Sequence, residues 1–189
     1  MGSSMDGVLL SNIQISSLEY FKDLDEVYSQ FFKKDEMPAR VTVTANMWES
    51  LDIEVAITAT KDVNSKRTWN TSHKSMISPM FHTANICNDV IYLSGQISQD
   101  LATGELEKGS FSVQAIRTLS NIKILLEEMG TSMENILVAN IYLSSMKYYD
   151  ELKDICSQFF NNSKPAMTII GSEIYEGLDI EIGIIAALK

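Results

Sequence analysis

The chain has 189 residues and a mass of 21.2 kDa, is 45% hydrophobic and 21% charged, and carries a net charge of −10 with a pI near 4.6. That length holds one domain or two small ones. The acidic balance, with Lys and Arg never clustered beyond pairs such as Lys33-Lys34 and Lys66-Arg67, argues against a general nucleic-acid binder, which needs a basic face for phosphates.

Taken in order, Met1–Met5 lacks the charged-then-apolar pattern of a secretory signal, and no run approaches the ~18 apolar residues of a membrane span. Residues 8–15 are an apolar, β-prone run and predict a strand. Ser17 stands at an N-cap position ahead of Phe21, Leu24, Val27, Tyr28 and Phe31, whose spacing predicts a helix packed on a core. Then comes Pro38-Ala39-Arg40-Val41-Thr42-Val43 and, about ten residues on, Leu51-Asp52-Ile53-Glu54: two extended segments joined by a turn, with a carboxylate inside the second.

Residues 62–75 are polar and read as a linker. A strand is expected at Val90–Ser94, turn chemistry at Asp100–Gly104, and a helix over 111–129 with an apolar stripe of Val113, Ile116, Leu119, Ile122, Leu126 and Met129, closed by Gly130. From Gly130 the chain repeats itself. Residues 2–61 align with 130–188 at a shift of 128, falling to 127 before Pro38, and about two fifths of the aligned positions are identical. The second copy carries Pro165-Ala166-Met167 and Leu178-Asp179-Ile180-Glu181, so Met167 stands where the first copy has Arg40. Residues 76–189 thus read as a complete α+β unit and 2–61 as the equivalent of its second half. Cys87 and Cys156 give neither a disulfide framework nor metal-ligand spacing, and His73 and His82 have no metal partner in view. A reduced, cytoplasmic protein without metal or cofactor is expected.

Residues 76–189 resemble the RidA family, also called YjgF or endoribonuclease L-PSP, through Tyr92-Leu93-Ser94-Gly95-Gln96-Ile97, Thr103-Gly104-Glu105-Leu106, Pro165-Ala166 and Ile180-Glu181-Ile182. Residues 2–61 resemble its C-terminal half, with the fuller Pro38-Ala39-Arg40 motif. The tandem layout, with Lys66-Arg67-Thr68-Trp69 leading into Ser75–Pro79, is similar to the C-terminal region of eukaryotic diphthine–ammonia ligases. The Ser-Gly-Gly-Lys-Asp-Ser type ATP loop of those proteins is absent from these residues, so they are not expected to adenylate a substrate.

The resemblance implies a chorismate-mutase-like α+β fold, a mixed sheet backed by two helices, and homo-oligomers packed like trimers with pockets between neighbouring units. It also implies hydrolysis of reactive 2-imino acids to 2-keto acids and ammonia. That reaction needs a cation for the carboxylate, which an arginine supplies as a planar fork, and a carboxylate to handle water and the departing amine. Carried over, the cation is Arg40, replaced by Met167 in the second copy, and the carboxylates are Glu54 and Glu181. The pocket strand supplies Ser94 and Gly95. Phe81 falls where the family has a tyrosine, keeping the ring without the hydroxyl. The expected site pairs Arg40 with Glu54 against the pocket strand of a neighbouring unit. The alternative is a catalytically degenerate module that binds a small carboxylate or scaffolds a larger ligase. Ribonuclease activity ranks last, because the chain has no His/Lys cluster for phosphate chemistry. The half unit would leave unpaired strand edges and an uncovered apolar face, so another unit is expected to cover them.

Overall fold

Two sheets form from the β-prone runs. In the computed structural model, which describes residues 2–160 and 163–188, the chain runs β1 (Val8–Ile15), α1 (Phe21–Tyr28), β2 (Ala39–Thr44), β3 (Ile53–Ala59), β4 (Lys66–Trp69), β5 (Ala84–Cys87), β6 (Val90–Ile97), α2 (Phe111–Glu128), β7 (Ile136–Leu143), α3 (Tyr149–Phe159), β8 (Ala166–Gly171) and β9 (Ile180–Ala187). The first sheet has the order β2-β1-β3 and the second β4-β5-β6-β9-β7-β8. The repeat is visible in the pairing. β1 runs parallel to β2 and antiparallel to β3, as β7 runs parallel to β8 and antiparallel to β9.

The layers follow from which faces are apolar. Helices α2 and α3 cover one face of the six-stranded sheet, burying Leu119, Ile122, Leu126 and Leu152 against Leu93, Ile141, Ile182 and Ile184. Each such fully buried side chain contributes roughly 1.5–3 kcal/mol. The opposite face takes the three-stranded sheet, through Leu10, Val41 and Val43 against Tyr92, Ile97, Tyr142 and Leu178. Helix α1 closes the outer side, with Leu24 and Tyr28 on Ile13 and Ile15. The approach of β2 is close. A Cβ on Gly183 would stand 3.0 Å from Val41 Cγ2, so a side chain there would push the two sheets apart. Polar ties add direction: the Asn85 amide donates to the Leu9 carbonyl at 2.9 Å, and Lys66, its side chain fully buried, donates to the Glu36 carbonyl at 2.7 Å.

Four expectations need correction. Residues 62–75 are not only a linker, because 66–69 form edge strand β4 paired antiparallel to β5; Thr68 and Trp69 suit a strand, and buried Lys66 anchors it. The α2 stripe is rotated from the expected one. Val113 and Ile116 are exposed, while Phe111 and Ala115 join Leu119, Ile122 and Leu126 in the core. Ser17 does accept the backbone N–H of Glu19, as its repeat counterpart Ser145 accepts that of Lys147, but each caps the short 3₁₀ turn that leads into α1 or α3. In α1 only Leu24 and Tyr28 are buried; Val27 faces outward, and Phe31 lies exposed beyond the end of the helix.

β3 stands apart. Every residue from Ile53 to Ala59 is exposed, because its free edge lacks the neighbour that β6 gives to β9. The outer strand β8 likewise exposes Met167 and Ile170. Among the described residues no helix is long and apolar enough to cross a membrane, and no cluster of His, Cys, Asp and Glu is arranged to hold a metal.

Candidate functional site

The face-to-face docking of the two sheets leaves a cavity of about 510 Å³ at their junction, bounded by Phe21, Asp25, Arg40 and Thr42 from the N-terminal segment and by Phe81, Gly95, Ile97, Leu106, Tyr175 and Glu181 from the remainder. Its size lies within the range of small-molecule sites.

Arg40 is placed by its strand. Its backbone N–H donates to Ser94 Oγ at 2.9 Å, and Ser94 Oγ donates in turn to the His82 carbonyl at 2.7 Å. Ser94 is therefore the rivet between β2 and β6, behind the cavity and not on its wall. The Arg40 side chain is 3% exposed, and its guanidinium carbon lies 5.3–5.4 Å from the ring centroids of Phe21, Tyr28 and Phe81. Aromatic faces attract a cation there and hold its plane. Nη1 donates to Asp25 Oδ1 at 2.6 Å. Tyr28, whose hydroxyl donates to Ser11 Oγ at 2.9 Å, has its pKa pushed up to about 12 by burial.

Glu181 comes from β9, which pairs with β6 across a bulge. Leu93 faces Ile184 while Gln96 faces Ile182, so Ser94-Gly95 carries one extra residue. Bulges re-aim side chains. Here the bulge sends Ser94 toward Arg40 and opens Gly95 to the Glu181 carboxyl. A Cβ on Gly95 would overlap Glu181 Oε1 and come within 2.9 Å of its Cδ. Burial drives the Glu181 pKa up to about 8, opposed by a hydrogen bond from the Thr42 N–H and by the charge of Arg40. A carboxyl pushed up toward neutrality is placed to give and to take a proton, which suits acid–base work. Thr42 also brings a buried hydroxyl with no hydrogen-bond partner among the described residues.

This burial has a consequence for stability. Unfolded, Glu181 titrates near 4.5; folded, near 8. Between those values the folded chain holds a proton that the unfolded chain has lost. Stability therefore falls as pH rises from about 4.5 to about 8, by at most about 1.4 kcal/mol per pH unit. Urea unfolding of wild type and Glu181→Gln across this window is expected to show the decline in wild type and a flatter curve in the variant. Parallel curves would mean the carboxyl is not held neutral.

Of the expected site residues, Arg40, Phe81, Gly95 and Glu181 meet at this cavity and Ser94 supports it. Glu54 does not join them, because it sits on exposed β3 while Arg40 faces the other sheet. Met167 is exposed on β8 and outside the cavity. Asp25, Thr42, Phe21 and Tyr175 were not expected. The repeat held a signal for two of them: at the same alignment Asp25 faces Lys153 and Thr42 faces Ile169, so polar groups change together with Arg40.

A mixed sheet with two helices on one face defines an α+β class, shared with the crystal structure of yeast Mmf1 at a TM-score of 0.62 and 27% identity, over 66% of this chain and 99% of that one. The family model described as endoribonuclease L-PSP matches residues 75–188, more than half of the chain, and the chain belongs to that family, the RidA/YjgF family. A RutC family protein of Saccharolobus solfataricus is 33% identical over 99 residues, 52% of this chain and 79% of that protein. A 2-iminobutanoate/2-iminopropanoate deaminase of Dermatophagoides farinae is 27% identical over 114 residues, 60% of this chain and 88% of that protein.

Proposed function

We propose that the chain hydrolyses 2-imino acids to 2-keto acids and ammonia in the cavity between its two sheets. The observation that carries this reading is the meeting of a caged arginine, Arg40, with a buried carboxyl, Glu181, in one cavity. Arg40 takes the substrate carboxylate. Glu181 gives its proton to the imine nitrogen, which makes the carbon electrophilic, and the carboxylate so formed accepts a proton from the attacking water. Returned to the nitrogen, that proton lets ammonia leave as the C=O bond forms, while the hydroxyl proton of the intermediate goes back to Glu181. Family membership and the named deaminase relative support the chemistry. The test couples an amino-acid oxidase to semicarbazide trapping: the chain is expected to shorten the lifetime of the imine, and an unchanged lifetime would refute the reading.

The second reading, a degenerate carboxylate-binding module, draws on Phe81, which gives a ring to Arg40 but no hydroxyl. It predicts a thermal shift with 2-ketobutyrate and no turnover. Ribonuclease chemistry has little to use here, because the described residues lining the cavity include no His or Lys.

In this reading residues 2–61 act as a partial unit docked on 76–189, and both retain surface for a second copy. β3 exposes Ile53, Val55 and Ile57 beside an unpaired edge, and β8 exposes Met167 and Ile170 on the strand whose repeat counterpart, β2, docks on a sheet. Light scattering at micromolar concentration is expected to give a mass above that of one chain. A mass equal to 21.2 kDa would contradict self-association.

A further inference from the structure

Arg40 does not meet its ligand as a bare cation. Asp25 Oδ1 accepts from Nη1 at 2.6 Å, and the Asp25 side chain is 28% exposed and lines the same cavity. Among the described residues neither Asp25 Oδ2 nor the remaining guanidinium N–H groups have a hydrogen-bond partner. The cavity thus presents adjacent unused valences of both signs: donors on Arg40 and an acceptor oxygen on Asp25. A surface of this kind carries no net charge and complements a ligand that has a carboxylate and a cationic nitrogen on neighbouring atoms.

The bland account is that Asp25 only neutralises a buried arginine. Two observations weigh against that alone. The guanidinium is already enclosed by three aromatic rings that stabilise its charge. Asp25 also reaches the cavity wall, where its second oxygen is open to a ligand. The repeat adds a second comparison. Where the second copy loses the arginine, Asp25 is replaced by Lys153 and Thr42 by Ile169, so the acid and the base are present as a pair or not at all.

We infer that Asp25 is a specificity-determining residue: together with Arg40 it forms a cradle for a zwitterion, with the ligand carboxylate on Arg40 and its adjacent cationic nitrogen on Asp25. This rests on the reading of Arg40 as the carboxylate anchor and deepens it. A 2-imino acid whose nitrogen has taken the Glu181 proton satisfies both groups. A 2-keto acid satisfies only one and places a carbonyl oxygen against a carboxylate, which disfavours it. The cradle therefore holds the substrate class and releases the product class.

The test compares two stable acids with the same carbon skeleton, L-2-aminobutyrate and 2-ketobutyrate, by calorimetric titration of the whole chain. Wild type is expected to bind the amino acid about tenfold tighter, the size of one charge-assisted hydrogen bond. Asp25→Asn is expected to erase that preference, and Asp25→Glu to keep most of it. Equal affinity of wild type for the two acids, binding of neither, or an unchanged preference in Asp25→Asn would each overturn the inference. Should Asp25→Asn fail to fold, the wild-type preference and Asp25→Glu still decide. Binding is measured apart from turnover, so a chain that prefers the zwitterion and leaves imine lifetimes unchanged keeps the cradle and loses the hydrolase.

Discussion

Under the proposed hydrolase reading, Arg40→Met is expected to lower kcat/KM for 2-iminobutanoate by about ten- to a hundredfold, mostly through KM. The substitution copies what the chain itself carries at Met167. It keeps an unbranched side chain to fill the space among Phe21, Tyr28 and Phe81, so packing is disturbed less than by alanine. The planar donor for the substrate carboxylate is lost, and a charge-assisted hydrogen bond is worth on the order of 1.5–3 kcal/mol. Arg40→Lys should recover only part of the loss, because an ammonium restores charge but not the fork. Steady-state kinetics in the oxidase-coupled assay separate these outcomes. A variant with unchanged KM and kcat would remove Arg40 from the site.

Gly95→Ala should be the more damaging change despite adding only a methyl group. Gly95 has no left-handed backbone angle, so alanine is acceptable to the backbone there. The obstacle is Glu181, whose carboxyl occupies the space the methyl would need. Glu181 must swing away or β6 must bend, and overpacking of this kind typically costs about 1–3 kcal/mol. Activity is expected to drop by about a hundredfold or more, since a proton-transfer group displaced from its geometry loses its contribution of roughly 10²–10⁴. Thermal melting checks the folding cost and the coupled assay checks the rate. A folded Gly95→Ala protein with full activity would show that Glu181 does its work from some other position, or none.

Much of the fold is legible in the sequence because its signals are local. Val8–Ile15 and Ile136–Leu143 are strands as their β-prone composition predicts, and the alignment of the two copies anticipates their common pairing. The stripe of α2 is less legible. Apolar residues lie on more than one side of that helix, and spacing alone cannot say that Val113 and Ile116 face out while Phe111 and Ala115 face in. Arg40, Phe81, Gly95 and Glu181 were all nameable, but not their grouping. Arg40 and Glu54 share one copy of the repeat, which suggests a shared site. The chain instead lays β2 across the second sheet and meets Glu181, a long-range docking that neither propensity nor spacing encodes. Asp25 was hidden for another reason. A carboxylate on an amphipathic helix usually belongs to the solvated face, and only comparison with Lys153 sets it apart.

The pairing of Arg40 with Glu181 across two sheets is the centre of this account, and one experiment addresses it directly. Imine hydrolysis by Glu181→Gln and Glu54→Gln should be measured side by side with wild type. The account predicts that Glu181→Gln loses nearly all acceleration while Glu54→Gln, altered on the exposed strand β3, retains it. Activity that survives in Glu181→Gln and vanishes in Glu54→Gln would contradict the account.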